Sequence, residues 1–268
     1  MFLCSGAAAS PPQRIVSLTP STTELLFALG LDAGVVGVTT ACLYPAAARA
    51  KYKVGSMVTP SLEAIVARRP DLVVASSDSV SMQLIERLNS LGLKTHVMSG
   101  LNVAGFPGAL RAFGAVVGRP KQAENIARRI ERETAEIKKR YARNRGGRSV
   151  LYLIWPDPPM AAGAATPINE ALELFGFRNA GLCGPGYYPA CSLEAIMNSD
   201  PDMIIIGTAH ADIVEQNSRL FDRLRLLRAV REGRVYYMTD NLYRLGPRFV
   251  DGLRELRGIL KQQYPPNY

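Results

Sequence analysis

No run in the 268 residues comes near the ~20 consecutive apolar positions that a membrane-crossing helix needs. The longest apolar stretches, such as Met203-Ile204-Ile205-Ile206, are strand-sized. Histidine is almost absent: His96 and His210 stand far apart and read as structural. The four cysteines, Cys4, Cys42, Cys183 and Cys191, fall at no spacing that a zinc site uses, so no metal centre is expected. Signatures of catalysis are missing as well. There is no Gly-x-Ser-x-Gly elbow, no Gly-Lys-Ser/Thr phosphate loop, no Gly-x-Gly-x-x-Gly after the first strand and no His-Glu-x-x-His. Without a nucleophile and base in recognisable pairing, the chain is expected not to be an enzyme.

What is present is an ordinary globular composition, 47% hydrophobic and 21% charged, with an excess of positive charge. Lys and Arg number 32 against 23 Asp and Glu, a net charge of +9, which raises the question of a nucleic-acid partner. Eleven of those bases lie between Arg119 and Arg148 with only four Glu, so most of the excess is one basic segment. No aromatic-interleaved basic stretch accompanies it, and nucleic-acid binding is the remote alternative, marked by steep salt dependence. The start, Met1-Phe2-Leu3-Cys4-Ser5-Gly6-Ala7-Ala8-Ala9, resembles the tail of an export signal with an Ala-x-Ala-like site. Lipid attachment through Cys4 and an unstructured start of a cytosolic protein are the other two readings. Cys183 and Cys191 bracket a Gly/Pro-rich loop, either as a disulfide in an oxidising compartment or as two buried thiols.

Strand-like runs alternate with helical periods over residues 14–119 and again over 148–268, the pattern of parallel sheets covered by helices. Hydroxyl caps at Ser21 and Ser61 mark two helix starts. Residues 120–144 contain no Gly and no Pro after Pro120, with Ala123, Ile126, Ala127, Ile130, Ala135, Ile137 and Tyr141 at helical spacing. They predict one helix of about 25 residues, about 37 Å long, whose basic side chains form a solvated face. The predicted organisation is thus a leader remnant (1–13), an α/β lobe (14–119), a connecting helix (120–147) and a second α/β lobe (148–268). The segment Ser61-Leu62-Glu63-Ala64-Ile65-Val66-Ala67-Arg68-Arg69-Pro70-Asp71 matches residues 192–202 at seven of eleven positions, and each copy runs into an apolar strand. Glu63 and Glu194, equivalent in the two copies, are either first-turn carboxylates serving the helix dipole or a symmetric docking pair for a two-fold partner.

The series Arg14-Ile15-Val16-Ser17-Leu18-Thr19-Pro20-Ser21-Thr22-Thr23-Glu24, Tyr44-Pro45, Val54-Gly55-Ser56, Leu62-Glu63-Ala64-Ile65 and Pro70-Asp71-Leu72-Val73, with its second copy and the stretch from Asp240 to Arg248, resembles the periplasmic binding proteins of ABC importers for vitamin B12, haem and ferric siderophores, most closely the B12 branch. The resemblance implies two Rossmann-like lobes bridged by one long helix, a periplasmic or exported protein, free or membrane-anchored, that is monomeric when free and carries no cofactor. Its partners would be a permease dimer with ATPase subunits, engaged through Glu63 and Glu194. Ligand contacts are implied at Pro20, Ser21, Thr22, Ala41, Met57, Ser76, Met160, Tyr188, Asp240 and Arg244. Ala41, Met57 and Ser76 stand where known B12 binders have aromatics, leaving a roomier cleft. Met57 and Met160 either pack a macrocycle face or fill the core. Trp155, beyond the first strand of the second lobe, is a cleft wall or a packing residue, and Tyr187 beside Tyr188 is placed for contact in its loop. A corrinoid is the expected ligand, with haem or a ferric siderophore as the alternative; Tyr188 and Met57 are the candidate axial ligands for haem.

Overall fold

The computed structural model describes residues 10–77, 79–99, 102–142, 147–208 and 220–263. Cys4 and His210 lie outside them. The chain forms two compact α/β units, one made of the described residues up to 99 with Gly105–Arg128, the other of Asn102–Ala104 with the chain from Arg129 onward.

In the first unit four parallel strands, β1 (Ile15–Ser17), β2 (Val35–Val38), β3 (Leu72–Ser76) and β4 (Thr95–Met98), lie in the order β2-β1-β3-β4. Helices α1 (Pro20–Ala28), α2 (Ala46–Arg49), α3 (Leu62–Ala67), α4 (Met82–Ser90) and α5 (Phe106–Val116) belong to this unit, and α6 (Pro120–Arg140) begins in it. In the second unit the strands are β5 (Ser149–Pro156), β6 (Pro159–Ala161), β7 (Arg178–Asn179), β8 (Met203–Gly207) and β9 (Val235–Met238). Here β7, β8 and β9 run parallel to their neighbours, with β5 between β7 and β8, while β6 folds back antiparallel on β5. The order β7-β5-β8-β9 therefore repeats β2-β1-β3-β4. Helices α7 (Pro167–Leu174), α8 (Leu193–Ser199), α9 (Arg228–Arg231) and α10 (Phe249–Gln263) complete it.

The sequence repeat is a structural unit with its own fastening. Ser61 Oγ accepts from the Ala64 amide at 3.1 Å and Ser192 Oγ from the Ala195 amide at 3.0 Å, so each copy opens on a side-chain N-cap. Ile65 and Ile196 bury themselves against the following strand's sheet. Each helix leaves through a left-handed residue, Arg69 (φ 46°) or Asp200 (φ 33°), immediately before the proline. The Pro-Asp carboxylate then caps the neighbouring strand. Asp71 accepts from the amides of Gln13 (2.7 Å) and Arg14 (3.0 Å), and Asp202 from that of Ser149 (2.8 Å). The strands so launched, β3 and β8, are buried at every position, as central parallel strands are.

Several expectations need correction. The first helix starts at Pro20 with Thr19 as N-cap, and no hydroxyl caps it. Proline presets the first helical φ, and its missing N–H is no loss there; the hydroxyls of Ser17, Thr22 and Thr23 bond one another instead. The long helix α6 has 21 residues rather than about 25; Tyr141, just beyond its end with its amide still bonded to the Ile137 carbonyl at 2.9 Å, is buried edge-on against Phe175 at 4.8 Å between centroids. The division between units falls within it, after Arg128. Its inner stripe includes buried Glu133 and leaves Ala135 exposed. Glu133 is affordable inside because Arg254 (3.0 Å) and Arg257 (3.2 Å) of α10 meet it, and Arg129 meets Asp251 at 2.6 Å. The basic face is thus partly an ion-pair seam. Cys183 and Cys191 form a disulfide, which decides between the two readings; Cys42 is a buried free thiol.

Candidate ligand-binding site

In an open parallel sheet the loops beyond the carboxyl ends of the strands converge on one pole, where ligands bind. The first unit places Pro20, Ser21, Thr22 and Ala41 after β1 and β2, and Ser76 at the last position of β3, at that pole. Thr22 has no accessible surface, and its hydroxyl lies 2.8 Å from those of Ser17 and Thr19. The Thr23 hydroxyl lies within hydrogen-bond distance of both Ser17 Oγ (2.8 Å) and Cys42 Sγ (3.1 Å), tying the start of α1 to the loop after β2. Ser76 is likewise fully buried, and Pro20 and Ser21 are nearly so. These hydroxyls therefore shape the pole from beneath. Ala41 is exposed, and Met57 half-buried, on loops joined by the Thr40 amide donating to the Gly55 carbonyl at 3.0 Å. Beside them stand exposed apolar residues not anticipated above: Leu43 (55%), Tyr44 (49%) and Val58 (85%). Large apolar side chains left outside on loops were the available signal.

The second unit gathers its predicted residues more tightly. Trp155 and Met160 are direct partners across the β5–β6 hairpin, both half-buried, and the Trp155 indole N–H donates to the Asp157 carbonyl at 2.8 Å. Met160 bridges to Ala190 in the tyrosine loop. Tyr187 is half exposed; its ring centroid lies 6.4 Å from that of Tyr188, which lies 6.4 Å from that of Tyr243, which lies 6.3 Å from that of Tyr152. The Tyr188 hydroxyl donates to the Tyr243 carbonyl at 3.1 Å. Tyr243 occupies the space that a side chain at position 207 would need, so Gly207 at the end of β8 is what lets the ring lie over the sheet. Burial pushes both phenols well above the ordinary range, with Tyr188 and Asp240 adding to the rise at Tyr243, and Tyr243 and Glu255 adding to it at Tyr152.

Asp240 and Arg244 sit at the rim of this tyrosine array. Asp240 takes its close ion pair from Arg248 (2.9 Å), which also donates to Asn241 Oδ1 (2.7 Å), while Arg244 stays 3.9 Å from the carboxylate with its side chain 37% exposed. Arg248 and Tyr243 are the residues of this stretch that single-residue reasoning passed over. Of the β9 tyrosines, Tyr236 is partly buried and Tyr237 half exposed. His96 is half-buried against Phe113, and burial lowers its pKa.

Glu63 and Glu194 are exposed in the first turns of α3 and α8, and neither has an ion-pair partner among the described residues. A groove of about 570 Å³ lies elsewhere in the second unit, between α6, α7 and Val103; it holds none of the predicted contact residues. Among the described residues no group of three His, Cys, Asp or Glu is placed to hold a metal, and no helix is long and apolar enough to cross a membrane.

Two α/β units, each built on a mainly parallel sheet with the expected contact residues toward its carboxyl pole, have the architecture of a solute-binding protein. The chain belongs to the periplasmic binding protein family, whose profile matches residues 15–242. It is 32% identical over 253 residues to the uncharacterised ABC transporter substrate-binding lipoprotein YvrC of Bacillus subtilis, covering 91% of this chain and 79% of that protein. The vitamin B12-binding protein of Salmonella paratyphi A is 28% identical, with 93% and 90% covered. The periplasmic heme-binding protein RhuT from Roseiflexus sp. RS-1 superposes with a TM-score of 0.82 at 24% identity, over 93% of this chain and 98% of its own. The chain is accordingly a substrate-binding component of an ABC importer of the B12, haem and siderophore group.

Proposed function

We propose that the solute is a corrinoid, captured without chemical change and handed to a permease, with no resident cofactor. The observation that carries this reading is the electrical neutrality of the tyrosine face. Tyr187, Tyr188, Tyr243, Trp155 and Met160 offer a broad, uncharged surface, and at its rim Asp240 is paired closely with Arg248 while Arg244 stands 3.9 Å from it. A corrin ring edged by neutral amides suits such a surface, since aromatic faces and thioethers pack its flat body while Asp240 and Arg244 bond the amides. Haem carries two carboxylates, and ferric siderophores are commonly anionic. Each would ask for several cations, and among the described residues the rim offers one beyond the Asp240–Arg248 pair, Arg244. Haem remains the second reading because Tyr187 is half exposed at the edge of the array and a phenolate ligates ferric iron. Exposed Glu63 and Glu194, one in each unit, support docking to a two-subunit permease. Export, with or without a lipid on Cys4, fits the family.

Titration with cyanocobalamin, dicyanocobinamide and haemin, followed by calorimetry and absorbance, tests the reading. Micromolar or tighter binding of a corrinoid is expected. Preference for haemin, with a phenolate-to-iron absorbance band, would transfer the assignment to haem, and no binding tighter than about millimolar, a free energy of about −4 kcal/mol, would end the macrocycle reading.

A further inference from the structure

The tyrosine loop is held by a fastening of its own. Residues 183–191 leave Gly181, pass through Gly184, Pro185 and Gly186, present Tyr187 and Tyr188, and return to Cys191 just before the N-cap of α8. Such a segment has little of its own to fix it, since four consecutive residues from Gly184 to Tyr187 are exposed. Two kinds of contact pin it. The first is a ladder of backbone bonds to the β5–β6 hairpin and its sequel: the amides of Ala161 and Gly163 donate to the carbonyls of Pro189 (3.0 Å) and Tyr187 (2.7 Å), and the Cys191 amide donates to the Pro159 carbonyl (2.7 Å). The second is the Cys183–Cys191 disulfide, which closes the loop over eight positions. Gly163 is where the two chains come closest; a Cβ there would lie 2.3 Å from the Gly186 carbonyl oxygen and 2.9 Å from that of Tyr187.

Resting on the ligand-binding reading above, we infer that the Cys183–Cys191 bridge and Gly163 are positioning residues for ligand capture. Together they hold the loop as a strap across β6, so that Tyr188 reaches the Tyr243 carbonyl and the tyrosines present one preorganised face. Neither cysteine needs to touch the ligand. Closing the loop reduces the conformations it samples when free, and ordering paid in advance appears as affinity. Without the bridge the ladder alone must hold the strap, and Tyr187 and Tyr188 lose their common orientation for part of the time.

Two variants test this along different routes. The Cys183→Ser/Cys191→Ser double variant opens the loop, whereas Gly163→Ala leaves the bridge intact and pushes the strap off the hairpin. In the ligand-free protein, amide exchange at Ala161 and Gly163 is expected to rise at least tenfold in the double variant, while that of β8 and the far-UV circular dichroism stay as in the parent. Cyanocobalamin affinity, or that of haemin if the parent prefers it, is expected to fall about tenfold in both variants. Unchanged exchange in the double variant overturns the inference whether or not any ligand binds. Faster exchange with affinity within twofold of the parent, in both variants, overturns the link to capture. A parent that binds neither probe refutes the ligand assignment instead, and the exchange result still decides whether the bridge holds the strap.

Discussion

Tyr188 combines two roles that a substitution pair can separate: its ring belongs to the aromatic array, and its hydroxyl bonds the backbone of Tyr243. Aromatic contacts contribute about 0.5–1.5 kcal/mol beyond simple burial. Tyr188→Phe keeps the ring and is expected to bind corrinoid within about threefold of the parent, whereas Tyr188→Ala removes ring and anchor and should cost at least about tenfold, about 1.4 kcal/mol, by calorimetry. Phe as damaging as Ala would place the effect on the hydroxyl's bond to the Tyr243 carbonyl instead of on the ring, and loss of a phenolate-to-iron band with haemin in Tyr188→Phe would favour haem. Single residues are also where sequence reading reaches least far. That Tyr187 and Tyr188 lie in a loop followed from the surrounding Gly and Pro, but the tilted contact of Tyr188 with Tyr243 depends on the absent side chain of Gly207, far away in the chain. Thr22, a plausible contact by position, spends its hydroxyl within a buried network that no spacing rule encodes.

At the scale of elements the repeat was legible because it carries its own punctuation: a serine cap, an apolar turn of helix, Pro-Asp and a buried strand. The function of its last residue was not. Asp202 accepts from the Ser149 amide at 2.8 Å and pairs with Arg228 at 2.7 Å, so it ties the start of β8 to the start of β5 and to α9. Removing a carboxylate that satisfies a partly buried amide typically costs about 1–3 kcal/mol. Asp202→Ala should therefore lower the urea midpoint by a corresponding amount, and Asp202→Asn, which retains an acceptor, should recover part of it. The β5–β6 hairpin escaped the sequence reading for a plain reason. Pro156, Pro158 and Pro159 crowd its turn, and prolines argue against strand pairing unless the strand lies at an edge where its missing N–H is not needed. The N-terminus of α1 was displaced by one residue through the same property of proline.

For the whole molecule, the net charge of +9 invites a reading in terms of anionic partners, yet in the seam with α10 the segment's Arg129 meets Asp251 while its Glu133 meets Arg254 and Arg257, so the segment is in part a structural ion-pair face. Against that background two exposed acids at equivalent positions of a structural repeat, without ion-pair partners among the described residues, are the sharper feature. If they dock the two permease subunits, reversing them should act on delivery alone. Glu63→Lys/Glu194→Lys raises the net charge by four and should abolish corrinoid-dependent uptake in cells while leaving the affinity of the purified protein within about twofold, because complementary charge governs association with the matching surface. A general charge effect is separated by Glu86→Lys/Asp222→Lys, which raises the net charge equally at two other exposed acids. Uptake preserved in that control and lost in the first pair assigns docking to the repeat. Equal loss in both would reduce Glu63 and Glu194 to first-turn carboxylates, and the symmetry of the fold would then record its duplication without describing its partner.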